Sequence, residues 1–293
     1  MHPPRVKLQE DGQIIEQREV AMQTYRMRVR APEIAARARA GQFAMLQVRE
    51  GLDPLLRRPL SFHRIFPEEG MIEILYRIVG RGTMWLSRRT PGTRLNLLGP
   101  LGNGFELPDG SFGSIAVVAG GIGIAPLFEL LARLVSMAPK AETSKIHLFY
   151  GARTAVELLP PDVFSDFGIS VHWSTDDGSL GYRGYVPALL KETVEEEGLR
   201  IERLYGCGPL AMQYHVARWS ETYGIPSQLS LESLMACGLG ACLGCALPAL
   251  DPANPAADHY VHVCKDGPIF PAGSIRWQKL QLHQAAPPTF LYS

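Results

Sequence analysis

Two rhythms of apolar positions divide the chain. From Val6 to about Leu107, short β-branched or aromatic runs (Tyr25 to Val29, Phe43 to Val48, Pro59 to Ile65, Met71 to Val79) are separated by turn residues, the pattern of a small antiparallel barrel. One helical piece is predicted after Gly82, with Thr83 capping its start and Pro91-Gly92 ending it. From Ser114 the rhythm lengthens. Ile115-Ala116-Val117-Val118-Ala119 reads as a buried strand, Gly120 to Gly123 as a turn, and Pro126 onward as a helix with Leu127, Leu130, Leu131 and Leu134 on one face. Strands at Ile146 to Tyr150, Ile169 to Ser174 and Leu204 to Cys207 alternate with helices at Pro187 to Glu197 and Pro209 to Trp219, which assemble most simply as a parallel sheet. The expected fold class is multi-domain β plus α/β. A β-barrel covers residues 1–108, a nucleotide-binding α/β domain 109–226, a small cysteine-rich module 227–277, and a tail without a readable motif 278–293.

Composition narrows the function classes. The 293 residues are 46% hydrophobic and 20% charged, enough apolar material for sizeable cores, and this excludes global disorder. Lys plus Arg equals Asp plus Glu at 29 each, so no overall field draws the chain to nucleic acid or to an anionic membrane, and any phosphate site must be local. The most apolar stretch, Ile115 to Val135, is interrupted by Gly120, Gly121, Gly123, Pro126, Glu129 and Arg133, which is wrong for a membrane span. Met1 to Arg5 leads into charged residues with no apolar h-region, so a secretory leader is not expected and the cytoplasm is the expected compartment.

Four of the five cysteines carry the strongest signal. Cys237, Cys242, Cys245 and Cys264 follow C-x4-C-x2-C-x18-C, and the first three match the plant-type [2Fe–2S] ligand spacing. Gly238, Gly240 and Gly244 are interleaved, as suits a loop that needs positive φ angles and backbone amides close to sulfide. Structural zinc and two disulfides are the alternatives. Zinc usually takes paired C-x2-C knuckles where this chain has one, and disulfides fit poorly with a cytoplasmic chain. The fifth, Cys207, ends a strand in Gly206-Cys207-Gly208-Pro209, and a lone cysteine there is more often a packing residue than a nucleophile.

Gly120-Gly121-Ile122-Gly123-Ile124-Ala125-Pro126 joins a strand to a helix, so its amides can face a pyrophosphate with no side chain between; the same glycines would also serve a plain tight turn. At the end of the second strand, Tyr150-Gly151-Ala152-Arg153 has no acidic residue for a ribose. Arg153 suits a 2′-phosphate or is a solvated charge; Asp176-Asp177-Gly178 suits a ribose or is a turn.

Arg58-Pro59-Leu60-Ser61 on a barrel strand, with Leu75-Tyr76-Arg77 and Gly82-Thr83, offers a flavin several contacts: arginine for the diphosphate, a serine hydroxyl for the isoalloxazine, a helix start for phosphate. Taken singly, these are also ordinary strand charges and a turn hydroxyl. In order along the chain, R-x-x-S, G-G-x-G-x-A-P and C-G-P resemble the ferredoxin-reductase superfamily. Glu232 to Cys245 and Val263 to Phe270 look like the electron-transfer subunits of dihydroorotate dehydrogenase B, a match over roughly residues 5 to 275.

The resemblance implies FAD at Arg58, Pro59, Leu60, Ser61, Leu75, Tyr76, Arg77, Gly82 and Thr83. It implies NAD at Gly120, Gly121, Gly123, Ala125, Pro126, Cys207, Gly208 and Pro209, with Cys207 near the nicotinamide, and a [2Fe–2S] cluster on Cys237, Cys242, Cys245 and Cys264. Many superfamily members have tyrosine where this chain has Leu60, whereas the dihydroorotate type is similar in having an aliphatic residue. The implied activity is electron relay to NAD from the FMN of a partner subunit that oxidises dihydroorotate in pyrimidine biosynthesis, two of each chain together. This chain then contributes no catalytic residue to dihydroorotate oxidation. Two other readings are the small subunit of an NAD-dependent ferredoxin:NADP oxidoreductase and a non-enzymatic iron–sulfur redox sensor.

Overall fold

The computed structural model describes residues 7–284. Six antiparallel strands close a barrel: β1 (Leu8–Ala21), β2 (Thr24–Arg30), β3 (Phe43–Gln47), β4 (Arg58–Phe66), β5 (Met71–Arg77) and β6 (Arg94–Leu101), in the order β1-β2-β5-β4-β3-β6. A short helix α1 (Pro32–Ala35) follows β2, and α2 (Arg81–Ser87) follows β5. Ile14, Met27, Val29, Leu46, Phe62, Ile72 and Ile74 fill the interior because alternate residues of each strand point inward. β1 is the longest strand, although LQEDGQIIEQREVA is mostly polar: its outer face meets water, and it pairs with β6 over its first half and β2 over its second.

Helix α2 differs from the expectation at both ends. It starts at Arg81, so Thr83 lies inside it, and Thr83 Oγ1 accepts a hydrogen bond from the Val79 N–H at 3.0 Å. It stops at Ser87 because Gln17 of β1 takes its terminal carbonyls, donating from Nε2 to Leu86 at 3.0 Å and to Arg89 at 2.8 Å.

The second sheet contains β7 (Ser114–Gly120), β8 (Ile146–Ala152), β9 (Ser170–Thr175), β10 (Tyr182–Arg183), β11 (Ile201–Cys207) and β12 (Ser227–Ser230), all parallel. Helices α3 (Ile124–Met137), α4 (Val186–Glu196) and α5 (Leu210–Thr222) connect them, and α3 begins two residues before Pro126, after a 3₁₀ turn over Gly121–Gly123. A hairpin, β13 (Ala246–Ala249) with β14 (His259–His262), follows the cysteine loop. Then β15 (Ile269–Pro271) returns and joins β12 antiparallel, giving the order β10-β9-β8-β7-β11-β12-β15. The sheet thus continues past residue 226 and takes its edge strand from the cysteine-rich segment. Helix α6 (Trp277–Gln284) occupies the start of the stretch that carries no readable motif, with Trp277 and Leu280 buried; residues 285–293 of that tail lie outside the described residues.

Side chains that could not be recognised as partners from sequence hold the barrel against the nucleotide domain. Glu129 of α3 is buried and accepts from Arg64 at 3.2 Å, from the Ile65 N–H at 3.1 Å and from Arg133 at 2.6 Å. His63 of β4 is buried against Phe128, ring centroids 4.3 Å apart, with Nδ1 at 3.3 Å from the Ala125 carbonyl. A carbonyl only accepts, so Nδ1 carries the proton. Asn103 joins the third part, donating from Nδ2 to Ile269 O at 2.7 Å and accepting from the Ile269 N–H at 2.9 Å.

Burial pushes the His63 imidazole down to about 3. In the unfolded chain it takes a proton below about pH 6.5, so between those two values the unfolded state binds more protons and stability falls as pH falls. Denaturant unfolding should show a loss of up to about 1.4 kcal/mol per pH unit from this group below pH 6.5, and His63→Gln should flatten that slope; an unchanged slope would place the pH dependence elsewhere.

Candidate functional site

The cysteine loop brings four free thiols together in two pairs. Cys245 and Cys264 Sγ atoms are 3.3 Å apart and both residues are buried. The Cys242 N–H donates to Cys237 Sγ at 3.4 Å, and Cys242 is exposed. Further amides point at sulfur: Leu239 N–H to Cys237 Sγ at 3.3 Å and Gly240 N–H to Cys264 Sγ at 3.1 Å. The loop can wrap this way because φ is +70° at Gly238, +81° at Gly240 and +61° at Leu243. The third left-handed position is therefore Leu243 and not Gly244, which corrects the expectation for the glycines. Burial pushes the Cys237 thiol up, but the amides of Leu239, Cys242 and Ala241 outweigh it and bring the group down to about 6; Cys264, buried beside Cys245, is pushed up to about 12. Two thiol pairs with inward amides fit two irons with two ligands each.

On the barrel, Arg58, Pro59, Leu60 and Ser61 are half-buried along β4. A Cβ on Gly82 would overlap the Arg58 guanidinium, so the glycine is the cradle that lets this side chain lie on α2. Leu75, Tyr76 and Arg77 do not share a face. Leu75 packs into the nucleotide-domain core, while Tyr76 turns into the barrel and donates to Gln17 Oε1 at 2.9 Å. Arg77 crosses to the nucleotide domain and meets Glu157 at 3.1 Å. An arginine laid over a glycine at the start of α2 fits a flavin diphosphate.

A cavity of about 870 Å³ opens at the carboxyl ends of the sheet strands, where β7 continues into α3 and β11 into α5. Its floor is backbone. Gly120, Gly121 and Gly123 face Gly208 and Pro209; a Cβ on Gly123 would overlap the Cys207 carbonyl, and one on Gly208 would lie 2.9 Å from the Gly120 nitrogen. Ala125 and Pro126 lie behind this turn inside α3, and Cys207 is 1% exposed. Burial first, and the Glu232 charge second, push the Cys207 thiol up, so it is no nucleophile. Trp219 lines the cavity with a buried Nε1 that has no hydrogen-bond partner within the protein, a polar atom suited to a ligand.

Residues outside the glycine and Cys-Gly-Pro motifs also line it. Glu157 is 8% exposed and accepts from Arg77 at 3.1 Å and Arg153 at 2.7 Å; burial pushes its carboxyl up, but the two guanidinium groups outweigh it and hold it below the ordinary range. Asp176 and the exposed Tyr185 stand at the rim. Glu232 reaches solvent through the cleft yet is surrounded by protein, and that burial pushes its carboxyl up. Glu232 stands inside the cysteine-segment motif and Asp176 in the Asp-Asp-Gly turn that the sequence offers to a ribose, whereas Glu157 and Tyr185 come from turns that no spacing rule marks.

A family model described as "Iron-sulfur cluster binding domain of dihydroorotate dehydrogenase B" matches residues 232–276, and one described as "Oxidoreductase NAD-binding domain" matches 117–218. The dihydroorotate dehydrogenase B (NAD(+)) electron transfer subunit of Desulforamulus reducens is 38% identical over 274 residues, 92% of this chain and 98% of that protein. The chain belongs to that family. The corresponding subunit of Geobacillus thermodenitrificans is also 38% identical, over 89% of this chain and 96% of its own length. Among solved structures, one of an NADH-dependent reduced ferredoxin-NADP oxidoreductase has a TM-score of 0.80 at 26% identity, covering 94% of both chains. The ferredoxin reductase of carbazole 1,9a-dioxygenase shares the fold, with a TM-score of 0.62 at 23% identity over 76% of this chain and 68% of that one.

For this family member the glycine floor is open to a direct test. Gly123→Ala should weaken NADH binding at least about tenfold and lower stability by about 2 kcal/mol, because the methyl group meets backbone that cannot yield. Gly273→Ala, where a Cβ meets nothing within 4 Å, should change neither. NADH titration and urea unfolding of both variants would check this.

Proposed function

We propose that this chain is the electron-transfer subunit of an NAD-linked dihydroorotate dehydrogenase, with FAD on the barrel, [2Fe–2S] in the cysteine loop and NAD in the cavity. The observation that carries the reading is that the barrel's Arg77 enters the same cavity as the glycine floor, while two inward-facing thiol pairs lie on a loop whose return strand completes the same sheet. When bound, FAD exchanges a two-electron hydride with nicotinamide and single electrons with an iron–sulfur centre.

The chain's own residues bind and orient. Arg58 would supply charge for the flavin diphosphate over Gly82, Pro59, Leu60 and Ser61 on the same strand would help hold the flavin, and Thr83 fixes the Val79 turn. Leu75 is buried against the nucleotide domain and ties this strand to it. Gly120, Gly121 and Gly123 give the dinucleotide close access to backbone, against Gly208 and Pro209, with Ala125 and Pro126 holding the turn from behind. Cys207 stays protonated under the floor, and Tyr185 offers a ring face to a base.

The partner in this reading is an FMN-containing catalytic subunit, two of each chain in the complex, seated on the cysteine loop. Leu243, 58% exposed and next in the chain to the exposed Cys242, and Leu234, 87% exposed, support that docking face. No described helix is long and apolar enough to cross a membrane; we assign the complex to the cytoplasm.

Anaerobically purified protein should contain one FAD and two irons per chain, with both chromophores bleached by NADH, and should retain an FMN partner that converts dihydroorotate. Colourless protein containing zinc, or a large partner with further iron–sulfur centres, would sink the reading. Cys242→Ser should remove the iron while leaving flavin and part of the NADH oxidation by dyes; equal loss of both would mean that the two sites do not function separately.

A further inference from the structure

We propose that Glu157 sets the preference of the cavity for a dinucleotide without a 2′-phosphate, by holding Arg153 as its counter-ion and denying that cation to the phosphate. The inference rests on the reading that this cavity takes a nicotinamide dinucleotide. Arg153 and Asp176 stand side by side at the ends of β8 and β9, joined by the Asp176 N–H to Ala152 O bond at 3.2 Å and the Asp177 N–H to Arg153 O bond at 3.2 Å. Both line the cavity, as does Glu157. Arg153 alone on that rim reads as a phosphate ligand, but Glu157 Oε1 takes its Nη2 at 2.7 Å while Oε2 takes Arg77 at 3.1 Å. Lys191, the other lysine or arginine lining the cavity, lies 4.0 Å from Glu195.

The charge arithmetic then favours one ligand class. A 2′-phosphate brings nearly two negative charges to a rim that already carries the Asp176 carboxylate. To gain Arg153 it must either share a guanidinium whose charge Glu157 already balances through Nη2, or draw it away and leave a carboxylate whose side chain is 6% exposed with only Arg77 against it. A ribose with a free 2′-hydroxyl makes no such demand, because it can donate to a carboxylate and leave the Arg77–Glu157–Arg153 triad closed. Glu157 acts through Arg153, so it is a positioning residue, and its effect must appear as selectivity between two nucleotides.

The test compares wild type, Arg153→Ala, Glu157→Gln and the double variant, all as the flavin- and cluster-loaded chain. Calorimetric binding of 2′,5′-ADP is read against 5′-AMP, alongside kcat/KM for NADPH against NADH with a dye acceptor. Glu157→Gln should raise both ratios about tenfold, and adding Arg153→Ala should abolish the gain, whereas Arg153→Ala alone should shift the ratios less than about twofold. Unchanged ratios in Glu157→Gln overturn the proposal. So does a selective loss of 2′,5′-ADP binding in Arg153→Ala alone, an exposed-site change that decides the matter even where Glu157→Gln does not fold. Failure of 5′-AMP to bind wild type in competition with NADH would instead overturn the assignment of the cavity to a dinucleotide, and the proposal with it.

Discussion

The site depends on two turns of backbone that touch. At the ends of β7 and β11 the chain passes through Gly120 to Gly123 and through Cys207-Gly208, close enough that a Cβ on Gly123 or Gly208 would strike main chain on the other side. Parallel pairing sets that approach, since Cys207 is opposite Ala119 in the ladder, and the helices that follow then diverge to leave the cavity. Side chains would have pushed the turns apart and filled the floor. Because α3 leaves this contact directly, the Glu129 and His63 bonds to that helix place the barrel with respect to the same point.

Buried carboxylates, each shared by two arginines, recur inside the barrel and at its joint with the nucleotide domain. Glu73 lies 3.0 Å from Arg28 and 3.8 Å from Arg26, Glu129 sits between Arg64 and Arg133, and Glu157 between Arg77 and Arg153. A carboxylate has two oxygens and a guanidinium a planar fork of donors, so one acid can bridge two elements without an unpaired lone pair facing apolar surface. The arginines stay partly exposed, which limits the cost of removing the pair from water. A chain with equal numbers of acidic and basic residues thereby places charge where its domains meet and carries none in excess.

What could be read from the sequence follows from how each part is stabilised. The strand at Ile115 to Ala119 and the leucines of α3 were legible because both are buried and their periods differ. β1 was not, because its outward residues are charged and its pairing partners lie before and after it in distant sequence. The cysteine spacing was legible because thiolate ligation restricts it, yet the left-handed Leu243 carries no local mark. Leu75, Tyr76 and Arg77 form one motif, but strand alternation alone requires the tyrosine to turn from its neighbours, and it does. Glu157 was invisible because its partner Arg153, four residues back, carries no motif that joins the two, and its other partner Arg77 is 80 positions away.

The return of β15 to the edge of the parallel sheet has an evolutionary consequence. In sequence the cysteine segment resembles a cassette, of the sort that could be appended to a reductase or lost from it in one genetic event. In the fold its last strand covers β12, and Asn103, just past the barrel, bonds to that same strand. Deleting the cassette would expose a sheet edge and strip Asn103 of its bonds to that strand, so its removal would call for changes in both neighbouring domains. A chimaera that exchanges the cysteine segment between distant relatives must therefore carry the matching β12 and Asn103 regions with it.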